Sequence, residues 1–67
     1  MQPGDLVFHI DDIKDRRFIP GLIIRIIKAV NQEEAIVYFV DREFGEYHHV
    51  EELIKVEDYK GDADDYR

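Results

Sequence analysis

The sequence predicts an all-β chain in which five short strands build one small barrel or sandwich. Three observations carry that expectation. Apolar residues fall into five short runs, Leu6–Ile10, Leu22–Ile27, Ala35–Val40, Tyr47–Val50 and Leu53–Val56, dense in the β-branched and aromatic types that suit a pleated surface. Charged or turn-forming residues separate the runs at the spacing of short strands. Helix competes only at Val30–Ala35 and Val50–Ile54, both too short to nucleate alone. At 67 residues the chain has room for one core.

Each element follows from its neighbours. Leu6–Ile10 forms the first strand, and Asp11 to Pro20 is the longest connection, rich in charge. The Pro20-Gly21 pair punctuates entry to the second strand. In that strand Arg25 argues that Leu22, Ile24 and Ile26 face inward and that Ile23 and Ile27 face outward, with a bulge as the device that would switch register midway. Asn31–Glu34 is a polar hairpin loop. In Ala35–Val40, Val37 and Phe39 face inward, because the other choice buries the Tyr38 hydroxyl without a partner. Asp41–Glu46 is a second loop, with Gly45 suited to a positive φ. Val50–Leu53 is a single helical turn leading into the last strand. The outward set Ile23, Ile27 and Ile36 beside Tyr38 is then an exposed apolar patch, and such patches mark contact surfaces.

Composition narrows the function. A net charge of −7 argues against duplex nucleic acid, whose phosphates require a Lys/Arg surplus. With no cysteine there is no disulfide framework, no thiolate-ligated zinc and no thiol nucleophile. Serine and threonine are also absent, which removes hydroxyl nucleophiles other than tyrosine. The most apolar run, Phe18–Ile27, is about half a membrane span and is interrupted by Pro20, Gly21 and Arg25. No basic, then apolar, leader is visible, so the expected setting is cytoplasmic. Residues 57–67 carry five acids, two bases and no aliphatic larger than Ala63. Such a stretch reads as a flexible acidic tail on a domain spanning 1–56, either solvated or acting as a docking strip anchored by Tyr59 and Tyr66.

Two constellations invite chemistry. His48 and His49 are strand neighbours on opposite faces, so they cannot chelate one ion together. A site would need one of them, His9 and a carboxylate brought in by the fold, and the expectation is no metal and no cofactor. The carboxylate pairs Asp11-Asp12, Glu33-Glu34, Glu51-Glu52 and Asp64-Asp65 fall in turns or the tail, where they are solvated charges rather than a catalytic pair in a cleft. The expectation is a protein that is not an enzyme.

The order of the pieces is familiar. Pro3-Gly4-Asp5-Leu6-Val7 opens the first strand, a charged loop follows, and Gly21-Leu22-Ile23 opens the second. Then come Val37-Tyr38-Phe39-Val40-Asp41, a turn with Gly45, and Tyr47-His48-His49-Val50-Glu51-Glu52-Leu53-Ile54-Lys55-Val56. Over residues 3–56 this resembles the SH3-like small barrels, especially their Tudor and KOW-like branch and the short orphan barrels of bacteriophages. The resemblance implies a five-stranded SH3-like barrel with a short helical turn before the last strand. It also implies a binding role: an interaction module or small accessory subunit, as a virion component (capsid decoration or connector) in the virion, or a host-factor binder in the host cytoplasm. Tudor-type cages would draw on Phe18, Phe44 and Tyr47, but Arg42 stands where the family often has an aromatic. KOW-type nucleic-acid contact would run through the loop of Lys14, Arg16 and Arg17, and this is the alternative function. A proline groove of the SH3 type usually needs a Trp, which is absent. The leading expectation is a protein partner, a larger assembly or self-association, bound through Ile23, Tyr38, Ile36, Phe44 and Tyr47.

Overall fold

Each of the five β-rich runs forms a strand in a computed structural model that describes residues 1–59. The strands are β1 (Leu6–His9), β2 (Gly21–Lys28), β3 (Glu33–Phe39), β4 (Glu46–His49) and β5 (Leu53–Lys55). They make one antiparallel sheet in the order β4-β3-β2-β1-β5. A 3-10 turn at Val50–Glu52 carries the chain from β4 to β5, which lie at opposite ends of that order. The expected helical turn stands there. The expected loop at Asn31–Glu34 is shifted: the β2–β3 turn closes where the Ala29 amide donates to the Gln32 carbonyl at 2.8 Å, and β3 begins at Glu33.

The inner face of the sheet holds Val7, Ile23, Ala35, Val37, Phe39 and Leu53, with Ile19, Ile26 and Val50 packed against them. Val37 and Phe39 are inward as the alternation in β3 requires. In β2 the inward set is corrected. Ile23 is buried and Leu22 and Ile24 are exposed, the reverse of the expectation drawn from Arg25. The cause is a β-bulge: Ile23 stands opposite Val37 and Arg25 opposite Ile36, which leaves Ile24 as an extra residue. The bulge lets Ile23 before it and Ile26 after it both reach the core, although they are an odd number of residues apart.

Gly21 is dictated by contact as well as by the turn before it. A Cβ there would stand 2.6 Å from Val37 Cγ1 and 2.7 Å from Phe39 Cδ1, so only glycine lets β2 pass the Phe39 ring. Gly45 does not adopt the positive φ expected of it. A Cβ there would press on Ile36 Cγ2 at 3.2 Å, so the loop approaches β3 closely.

Two further expectations change. The Asp11–Pro20 connection begins as a one-turn helix, α1 (Ile10–Lys14), which the sequence did not announce because five residues lie below any nucleating length. Caps at both ends and one distant ion pair hold it: His9 Nδ1 accepts the Asp11 amide at 3.0 Å as an N-cap, Arg16, at φ 60, turns the chain out of the helix, and Arg42 stands 3.6 Å from Asp12. Regular structure also continues past Val56. A second 3-10 turn covers Val56–Asp58, and the Tyr59 ring packs 5.7 Å from both Phe8 and Phe18. Tyr59 is therefore an internal anchor of the outer side of β1. The rest of the expected tail, 60–67 with Tyr66, lies outside the described residues.

Candidate functional site

Cross-strand pairing on the outer side of the sheet sets apolar residues in rows. Leu6 pairs with Leu22 and Leu22 with Tyr38, a row across β1, β2 and β3. Arg25 pairs with Ile36 and Ile36 with Tyr47, a parallel row across β2, β3 and β4. The bulge adds Ile24 beside Arg25. Five of these side chains are well exposed: Leu6 (51%), Leu22 (40%), Ile24 (52%), Tyr38 (45%) and Tyr47 (65%). Cross-strand neighbours on one face stand about 4.5–5.5 Å apart at Cβ, so the rows form a continuous apolar surface.

Of the residues expected on a binding face, Tyr38, Ile36 and Tyr47 lie together on this surface. Ile23 does not: it is 1% exposed and belongs to the core, because the bulge places it inward. Phe44 is exposed in the β3–β4 loop rather than in either row. Leu6, Leu22 and Ile24 were missed. The run Leu22-Ile23-Ile24 is apolar at every position, so alternation carries no signal there. The Tudor-type cage is not assembled from its expected rings. Phe18 stands in edge contact with Phe8 at 5.8 Å and beside Tyr59, while the Arg42 guanidinium lies 4.6 Å over the Phe39 ring.

The inner side brings together a polar cluster that no single stretch of sequence announces. His48 pairs with the buried Ala35 and His9 with the buried Leu53, so both rings point to the inner face. There they meet, centroid to centroid, at 4.6 Å, with Glu52 Oε1 at 3.7 Å from His9 Nε2. His48 Nε2 lies 2.9 Å from Glu46 Oε1. A carboxylate accepts only, so this nitrogen carries the proton. The same oxygen accepts from Arg42 Nη1 at 2.9 Å, and Arg42 also stands 3.6 Å from the buried Asp12 and 3.4 Å from Asp41. The hydrogen bond from His48, assisted by the Arg42 charge, holds the Glu46 carboxyl below its ordinary value of 4.5 against an opposing desolvation. His49 turns to the opposite face beside Glu34, at 3.8 Å.

The basic loop is exposed. Lys14, Arg16 and Arg17 sit at and beyond the end of α1, interleaved with the exposed Asp11 and Asp15. Two surface grooves lie away from His9 and His48. One of about 300 Å³ is lined by Gly4, Asp5, Leu6, Lys55, Val56 and Glu57, and Lys55 in it is held 3.7 Å from Asp5. The other, about 210 Å³, runs beside the β2–β3 turn and the outward-facing His49. Among the described residues no helix is long and apolar enough to cross a membrane. No family model, no curated protein and no solved structure matches the chain.

Proposed function

We propose that this chain is a non-enzymatic protein-interaction module, a small accessory or structural subunit built on an SH3-like barrel. The reading of the fold as SH3-like is supported by the strand order with β5 beside β1, by the 3-10 turn before β5, and by side chains of β1 and β4 meeting across the inner face. The observation that carries the function is the outer surface of Leu6, Leu22, Ile24, Ile36, Tyr38 and Tyr47. A chain with 37% charged residues has the means to keep a sheet face polar, yet this face carries five apolar side chains in register and a sixth, Ile24, at the bulge. Burial of such a surface by a partner protein or a larger assembly is the physical use it supports. The phage-barrel resemblance suggests a virion component or a binder of a host factor.

The test is capture from native lysate by tagged full-length protein, with and without nuclease, comparing wild type with Leu22→Glu, Tyr38→Glu and the pair Arg16→Glu/Arg17→Glu. The expected result is a stoichiometric protein partner that survives nuclease, survives the arginine reversals, and is lost with either surface variant while far-UV circular dichroism is unchanged. Recovery of RNA or DNA, or partners that vanish with nuclease and with the arginine reversals, would move the function to the Lys14–Arg17 loop.

A further inference from the structure

We propose that His9, His48 and Glu52 form a binding site for a divalent transition-metal ion, with zinc as the ion that the donor set fits. The three residues come from β1, β4 and the 3-10 turn before β5, and one donor atom from each lies within 4.8 Å of the others. Metal–ligand distances of 2.0–2.2 Å in a tetrahedron place donor atoms about 3.4 Å apart, so the widest pair closes by roughly 1.4 Å on binding. His9 Nε2 and Glu52 Oε1, at 3.7 Å, are already near that spacing. Two imidazoles and one carboxylate supply three ligands and leave a fourth position open. Imidazole-rich sets favour zinc, copper or nickel over magnesium and calcium.

The surroundings supply the outer partners that such ligands require. Glu46 accepts from His48 Nε2 and is itself held by Arg42, which fixes the ring and leaves Nδ1 with its lone pair free. His9 is set differently. Its Nδ1 accepts the Asp11 amide, so the proton sits on Nε2, the nitrogen that faces Glu52. Coordination through Nε2 displaces that proton. A neutral, metal-bound ring carries its hydrogen on Nδ1, which can no longer accept from the Asp11 amide. The Asp11 carboxylate, with Oδ2 3.9 Å from Nδ1, is placed to receive it instead. Metal binding therefore exchanges the N-cap of α1 for a histidine–carboxylate contact, and the amide of Asp11 reports the exchange. The physical gain is a staple. β4 and β5 are the two edges of the sheet, and the ion would join β4 to β1 and to the turn before β5 in a small chain without disulfides.

The experiment titrates zinc sulfate into metal-free, full-length protein, read by calorimetry and by NMR of the imidazole and backbone signals. The expected result is one zinc per chain at a micromolar Kd. The His9 and His48 side-chain signals and the Asp11 amide shift with it, and those of His49 do not. At about 100-fold excess over Kd the thermal midpoint rises by roughly 10–20 °C. His48→Gln and Glu52→Gln weaken binding at least tenfold, whereas His49→Gln leaves it unchanged. Absence of binding below millimolar zinc overturns the proposal. So does binding that moves His49 or carboxylate signals while those of His9 and His48 stay still. That second readout is taken on the wild-type protein, so a variant that fails to fold does not blunt the test.

Discussion

The ring of His48 on β4 stands 4.6 Å from that of His9 on β1, although two strands separate them in the sheet. Side chains here make a connection that no ladder of backbone hydrogen bonds makes. The same His9 ring caps α1, so one residue ties the helix, the edge strand and Glu52 to a single point.

Loss of that cap is measurable. His9→Ala should destabilise the domain by about 0.5–2 kcal/mol, the usual cost of removing an N-cap side chain. His9→Asn, which keeps a capping acceptor but not the ring, should recover part of it. Urea unfolding in a chelating buffer separates the two, and equal midpoints for both variants would show that the ring contact, not the cap, holds α1.

Ile23 and Tyr38 make a paired test of the bulge. Ile23 is core and Tyr38 lies on the outer face, although both were expected on one surface. Ile23→Asp should abolish the cooperative unfolding transition, because it places an unpaired charge in the core. Tyr38→Glu should leave stability within about 0.5 kcal/mol, as surface substitutions do. A folded Ile23→Asp protein would contradict the register of β2.

Gly21→Ala asks whether β2 can move away from Phe39. The added methyl would meet Val37 Cγ1 at 2.6 Å and the Phe39 ring at 2.7 Å, both fully buried side chains. The expected loss is about 1–3 kcal/mol, the range for overpacking a core. A smaller Phe39→Leu side chain in the same protein should restore some of it, measured by thermal or urea unfolding.

Glu46 predicts an acid limb. Its carboxyl is held below 4.5 in the folded protein, so the folded state binds fewer protons there than the unfolded chain. The stabilisation is complete above that ordinary value and is lost as pH falls through the lowered one. Urea midpoints of wild type in chelating buffer should therefore fall below about pH 4.5 more steeply than those of Glu46→Gln. Parallel curves would remove Glu46 as the cause.

The strands were legible because their signal is local. A run such as Ala35–Val40 states both its conformation and its inward residues, since a tyrosine with a hydroxyl alternates with Val37 and Phe39. The helical turn at Val50 was legible for a similar reason, being a short polar step between two apolar runs. The outer apolar surface was legible in part: Tyr38 and Ile36 come from a strand whose alternation is clean, and Tyr47 opens the next one. Leu22 and Ile24 come from a run in which every residue is apolar, so both phases of the alternation bury the same kind of side chain.

The sequence by itself determined the β class, the approximate place of each strand and the exclusion of thiol and serine chemistry, all of which depend on residue type and near neighbours. Tertiary structure alone decided that β2 bulges at Ile24, that Gly21 passes beneath Phe39, that Tyr59 closes over Phe8, and that His9, His48 and Glu52 meet. Each of these depends on partners distant along the chain: the pairing of β2 with β3 sets the bulge and the Gly21–Phe39 approach, and side-chain packing beyond the ladders joins Tyr59 to Phe8 and His9 to His48 and Glu52.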